Sequence, residues 1–221
     1  MATYYLCGGG PNPQLTSFLP TEADIVIGVD RGALTLIQAG FPLDVALGDF
    51  DSVTPQEKAL ILSKAKMSQV YPPEKDLTDF QIALEWIKNQ NQALDQIWIT
   101  GFYGAGRLDH FLSNMWLAHH PSYKDLLPHF KVLEEGMALS FYQAGSHQLT
   151  PDSSYHYLSI ITFEANMTLG IEGAKYNLQP TLFHQPQAFI SNEFMGSNIV
   201  KLTLDQGLVA VILQARDRPG L

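Results

Sequence analysis

The first half of this chain alternates short runs rich in β-branched and aromatic residues with stretches of helical period, and that alternation restricts the fold more than any other feature. Residues 3–7, 24–30, 44–49, 67–71 and 96–100 read as strands. With helical segments between them, they imply an α/β domain built on a Rossmann-like, open, mostly parallel sheet. The helix after the third strand is announced by Thr54-Pro55-Gln56-Glu57, an N-cap Thr, Pro at the first helical position and Glu placed to close a capping box. Two more helices are expected, over residues 77–89 and 108–120. Leu77, Phe80, Leu84 and Ile87 form the apolar stripe of one, and Leu108, Phe111, Leu112 and Met115 that of the other.

The period changes after about residue 135. Strand-like runs at 138–143, 156–163, 188–190, 199–204 and 208–214 follow one another without an amphipathic helix, which implies a C-terminal antiparallel β-sandwich. Asp205-Gln206-Gly207 between the last two runs predicts a hairpin. The division is therefore an α/β domain over 1–135 and a β-domain over 136–221.

A chain with 46% hydrophobic and 16% charged residues has the composition of a globular protein. Its net charge of −9 with only 13 Lys and Arg argues against nucleic-acid binding, which needs clustered cations. No apolar run approaches the ~18 residues of a membrane helix. Residues 1–10 read as a strand entering a glycine turn rather than as a basic leader, and the single cysteine, Cys7, suits a reducing cytoplasm. An acidic protein can still handle polyphosphate locally through metal ions, so the places where carboxylates cluster become the candidates.

Three such clusters fall where strands give way to helices. Asp49 and Asp51 in Gly48-Asp49-Phe50-Asp51-Ser52 follow the third strand and can converge on one hard cation, for which oxygen ligands suit Mg²⁺. Asp76 and Asp79 in Lys75-Asp76-Leu77-Thr78-Asp79 are spaced to share one side of a first helical turn, with Asp76 as N-cap, and Lys75 beside them could meet a phosphate. Gly104-Ala105-Gly106-Arg107-Leu108-Asp109-His110 offers glycines for close approach to an anion and Arg107 as a fork for phosphate oxygens. Any one cluster is also what a turn or a helix start uses by itself. The coincidence at three successive loops is what favours a site.

In order and spacing these segments resemble the thiamine pyrophosphokinase family, and Gly173-Ala174-Lys175-Tyr176 with Ser191-Asn192-Glu193-Phe194 extends the resemblance to the family's vitamin-binding domain. Asp30-Arg31-Gly32 departs from a more usual Asp-Gly-Gly, Ala174 from a more usual Leu, and Gln81 stands where an acid is common. The resemblance implies an ATP- and Mg²⁺-dependent enzyme that transfers the pyrophosphoryl group of ATP to thiamine and releases AMP. It implies Asp49, Asp51 and Asp79 as metal ligands with Asp76 and Asp109 close by, and Lys75, Arg107 and His110 with Asp30 on the ATP side. Ser191 and Asn192 would lie on the thiamine side of a homodimer whose active sites form between subunits. Proton acceptance stays open between Asp109 and Asp76.

Two other readings compete. Asp49-Phe50-Asp51-Ser52-Val53 fits the nucleophile loop of a haloacid-dehalogenase-type phosphatase, but that loop usually follows a first strand and would leave the other clusters unexplained. A thiamine or nucleotide sensor would bind in the same crevice without turnover.

Overall fold

Parallel strands form where the β-rich runs of the first half stand. In the computed structural model, which describes residues 1–10, 12–72, 74, 76–103 and 107–216, they are β1 (Ala2–Cys7), β2 (Ile25–Val29), β3 (Val45–Gly48), β4 (Met67–Val70) and β5 (Leu94–Thr100). The sequence reading missed one strand, β6 (Phe130–Glu134). The order is β6-β5-β1-β2-β3-β4, and every pair is parallel. The chain moves outward from β1 to β4 and then returns to β5 on the other side of β1. That reversal opens a crevice at the carboxyl ends of the strands. Leu6, Ile27, Leu47, Ile97 and Ile99 are fully buried along the sheet, as expected where helices cover both faces of parallel strands.

Among the described residues four α-helices accompany these strands: α1 (Arg31–Gln38), α2 (Pro55–Lys64), α3 (Asp79–Lys88) and α4 (Leu108–Trp116). The capping box at Thr54 and Glu57 is present as expected. At α3 the expected cap is corrected: the N-cap is Thr78, not Asp76. Thr78 Oγ1 accepts from the Gln81 N–H at 3.2 Å while Gln81 Oε1 accepts from the Thr78 N–H at 2.9 Å, a reciprocal pair that Gln, like Glu, can close three residues after the cap. Phe80, Leu84 and Ile87 turn inward as the stripe predicts, each stabilising the fold by about 1.5–3 kcal/mol. Leu77 precedes the helix and is only half-buried.

The stripe expected on α4 is also corrected. Leu108 and Leu112 are 61% and 53% exposed, and the helix ends at Trp116, short of residue 120. Phe111 and Met115 face inward as expected, and Asn114 joins them in place of the two leucines, because the ring of Phe111 and the amide of Asn114 meet Phe102. No helix among the described residues is long and apolar enough to cross a membrane.

The chain divides into two units, one of Met1–Leu117 with His129–Glu135, the other of Ala118–Pro128 with Gly136–Leu221. The second unit is antiparallel throughout its described pairs, from β7 (Met137–Leu149), β8 (Tyr157–Thr162), β9 (Met167–Glu172), β10 (Leu178–Phe183), β11 (Ala188–Asn192) and β12 (Val200–Gln214). β9 and β10 escaped the sequence reading. The hairpin expected at Asp205-Gln206-Gly207 is not formed: both flanking runs belong to β12, which stays paired with β7 across an irregularity between Leu204 and Leu208. Gly207 does take a positive φ, 78°, but in a bulge. There β12 leaves β9 and joins β8, so the extra residues turn one strand from one partner to another. Asp205 Oδ1 holds the bend by accepting from the Thr168 N–H at 2.7 Å. Leu158, Ile160, Leu169, Leu202 and Val209 meet in the core of this unit.

Candidate active site

The carboxyl ends of the parallel strands enclose a cleft of about 750 Å³. Gly8–Gly10 after β1 and Gly101 after β5 form part of its lining. These two backbones approach so closely that a Cβ on Gly8 would sit 2.7 Å from the Gly101 oxygen. The sequence reading named the glycine turn after the first strand but did not assign it to the site. Three consecutive glycines at a strand end are the signal that could have done so.

Asp30 follows β2 and stands at the N-cap of α1, yet its side chain makes no bond to that helix. Its backbone has φ 47°, rare for a non-glycine residue, and its Oδ1 instead accepts from the Phe50 N–H at 3.1 Å. This diverts the carboxylate toward the loop after β3. In that loop Asp49 Oδ1 accepts from the Asp51 N–H at 3.1 Å, and Lys58 Nζ donates to the Asp49 carbonyl at 2.9 Å. Asp79 opens α3. One carboxylate oxygen from each of Asp30, Asp49 and Asp79 lies within 4.8 Å of the others.

Such crowding of negative charge leaves a mark on Asp30, whose pKa is raised to about 7 by burial, by Asp79 and by Asp49, against the pull of the Phe50 N–H. The three groups offer oxygen alone, without nitrogen or sulfur, and that donor set fits a hard divalent cation such as Mg²⁺. The family resemblance implies Asp49, Asp51 and Asp79 as the metal ligands. The structure adds Asp30 to Asp49 and Asp79, while Asp51 is exposed and lines the same cleft outside this group of three.

Asp76, Arg107, Asp109 and His110 also line the cleft. Arg107 grips Asp109 with two prongs, Nε to Oδ1 at 3.0 Å and Nη2 to Oδ2 at 2.7 Å. The hydrogen bonds from Arg107 pull the Asp109 carboxyl down to about 2. His110 joins the same turn by donating its N–H to the Arg107 carbonyl at 3.0 Å. Lys75 and the glycines of Gly104-Ala105-Gly106 lie outside the described residues.

The remaining candidates stand in the second unit. Asn192 is 5% exposed, and its amide is spent on the backbone: Oδ1 accepts from the Tyr176 and Glu193 N–H groups at 2.9 Å each, and Nδ2 donates to the Tyr176 carbonyl at 2.7 Å. Ser191 is exposed, has φ 59°, and donates its N–H to Ser159 Oγ at 3.2 Å. Ala174 and Phe194 form an isolated antiparallel bridge, and Lys175 pairs with Glu193 at 2.6 Å. Asn192 therefore shapes the surface on which Ser191 is displayed.

Two family models match the chain: the thiamin pyrophosphokinase catalytic domain over residues 18–127 and the thiamin pyrophosphokinase vitamin B1 binding domain over residues 146–209. A thiamine pyrophosphokinase of Bacillus subtilis is 36% identical over 185 residues, which covers 80% of this chain and 82% of that protein. Among solved structures, a thiamin pyrophosphokinase family protein from Enterococcus faecalis has a TM-score of 0.84 at 31% identity, covering 98% of this chain and all (100%) of that one. The B. subtilis thiamine pyrophosphokinase has a TM-score of 0.83 at 31% identity, covering 97% and 100%. Thiamin pyrophosphokinase from Candida albicans shares the fold at 15% identity, with a TM-score of 0.74 over 96% and 88% of the two chains.

Proposed function

Because this chain belongs to the thiamin pyrophosphokinase family and is a thiamine pyrophosphokinase enzyme, we propose how its own residues carry the transfer from ATP. The observation that carries this reading is the convergence of Asp30, Asp49 and Asp79 in one cleft with Arg107. Those three carboxylates would hold Mg²⁺, with Asp51 a further carboxylate at the same cleft. Bound there, Mg²⁺ would neutralise polyphosphate charge and so favour departure of AMP.

The hydroxyl oxygen of thiamine attacks the β-phosphorus of ATP, the bond from that phosphorus to the α-phosphate oxygen breaks, and AMP leaves. Arg107 meets phosphate oxygens, with Asp109 fixing its guanidinium plane, and His110 belongs to the same turn. Lys75 is a further cation for the phosphates. Both carboxylate oxygens of Asp109 are taken by Arg107, so the hydroxyl proton is assigned to Asp76, an exposed carboxylate of the cleft. The glycines after β1 and β5 let the nucleotide approach backbone closely.

In this reading the enzyme is a cytoplasmic homodimer. ATP binds the α/β unit of one subunit, and the antiparallel unit of the other, through the surface carrying Ser191 and shaped by Asn192, grips thiamine. Exposed Leu108, Leu112 and Trp116 on one face of α4 support a partner of the same kind. Incubation with ATP, Mg²⁺ and thiamine tests the reaction. Equimolar AMP and thiamine diphosphate are expected, and ADP with thiamine monophosphate would overturn the proposed transfer.

A further inference from the structure

The sheet ladder between β5 and β6 ends with Ile99 beside Val132, so two register positions further on Gly101 falls opposite Glu134. There a side chain takes over from the ladder. Glu134 Oε1 accepts from the Phe102 N–H at 2.6 Å and from the Tyr103 N–H at 3.1 Å. From the other side, the buried Asn114 of α4 donates Nδ2 to the Phe102 carbonyl at 2.8 Å. Both backbone polar groups of Phe102 are thus held by side chains from separate elements.

The ring of Phe102 is fully buried and meets Phe80 edge-on at 5.4 Å and Phe111 at 6.3 Å. Phe80 directly follows Asp79 at the start of α3, while Phe111 lies in the first half of α4, directly after Arg107, Asp109 and His110. One clamped residue therefore supports both helix starts that bring charged groups to the cleft. Glu134 is not among the described residues lining that cleft. Burial raises its carboxyl pKa, against the pull of the loop N–H groups.

We propose that Glu134 is a positioning residue for pyrophosphoryl transfer: it fixes the Phe102–Tyr103 backbone and, through the Phe102 ring, the placement of Asp79 and Arg107 toward ATP. This rests on the assignment of Asp79 and Arg107 to the ATP side made above. Reach and acceptor geometry, rather than charge, define the role. Glu134→Gln keeps an oxygen at the right distance, whereas Glu134→Asp keeps the charge but withdraws it by one methylene.

The test compares Glu134→Ala, Glu134→Asp and Glu134→Gln in the full chain, by kinetics and by amide hydrogen exchange. Ala and Asp should raise the KM for ATP about tenfold and speed exchange at Phe102 and Tyr103 by at least as much, as loss of the hydrogen bonds to these two amides implies. The KM for thiamine should stay within about twofold, and Gln should restore both readouts to within about threefold of the unaltered chain. If Ala does not fold, the contrast between Asp and Gln still decides. An Asp variant as good as wild type, a Gln variant as poor as Asp, or faster exchange with an unchanged KM for ATP overturns the proposal. Should the unaltered chain form no AMP with thiamine, the reading of function fails. Exchange at the two amides and ATP affinity by calorimetry then judge the clamp separately.

Discussion

Asp30 Oδ1 accepts a hydrogen bond from the backbone N–H of Phe50 at 3.1 Å, so the residue that follows β2 is tied to the loop that follows β3. The bond turns Asp30 away from the helix it would ordinarily cap and toward Asp49 and Asp79. A carboxylate so placed has its pKa raised, and its contribution to stability has a definite sign.

In the unfolded chain an Asp titrates near about 3.9, whereas folded Asp30 titrates at about 7. Its contribution is therefore fully present below the unfolded value and is lost as pH rises through about 7. A divalent cation bound to the three carboxylates would offset that loss. Mg²⁺ should raise Tm more at pH 8 than at pH 5, roughly in step with ionisation of this group. Asp30→Asn should flatten the difference. Equal Tm shifts at both pH values would remove Asp30 from the metal site.

Thr54 and Thr78 head α2 and α3 with the same capping box. Replacing either with Ala should cost about 1 kcal/mol of stability, measured by urea unfolding. Only Thr78→Ala should also lower turnover, because Asp79 is the first residue of its helix. Equal activity in the two variants would mean that Asp79 does not depend on its cap.

Arg107→Lys retains the charge but cannot reproduce the two-pronged grip now given to Asp109. Its kcat/KM for ATP should fall about tenfold or more, equivalent to roughly 1.4 kcal/mol in the transition state. An unchanged value would take Arg107 out of the site. Asp109 is held near 2 and stays charged at any working pH, so an acid limb in the rate profile should persist in Asp109→Asn.

If the sites form between subunits, chains carrying Asp51→Asn and chains carrying Ser191→Ala with Asn192→Ala should rescue one another. In a mixed dimer one site collects both lesions and the other none, so each heterodimer should regain about half the activity of a normal dimer. Demonstrated subunit exchange with no return of activity would place the site within one chain.

Five of the six parallel strands, β1 to β5, were legible because each is a short local run bounded by turn residues, and the cap at Thr54 because Pro55 and Glu57 leave little choice. Asp76 and Thr78 are both capping residues, and only the reciprocal bond with Gln81 selects between them. On α4, Leu108 and Leu112 have the spacing of a buried stripe. Spacing identifies a face without saying which way it turns, and the contacts of Phe111 and Asn114 with Phe102 decide that. The three candidate loops were legible as acidic clusters. Asp30's place beside Asp49 and Asp79 was not, since it depends on a bond to the backbone of a distant loop. Glu134 escaped for the same reason: its partners lie on another strand's continuation.

Cys7 ends β1 directly before the glycines of the cleft, is fully buried, and has its thiol pushed up to about 12 by burial and by the charge of Glu134. The chain's one sulfhydryl is thereby chemically silent in the folded protein, since attack on an alkylating reagent requires the thiolate. Its labelling rate becomes a clock for opening of the central strand, readable by mass without an introduced probe.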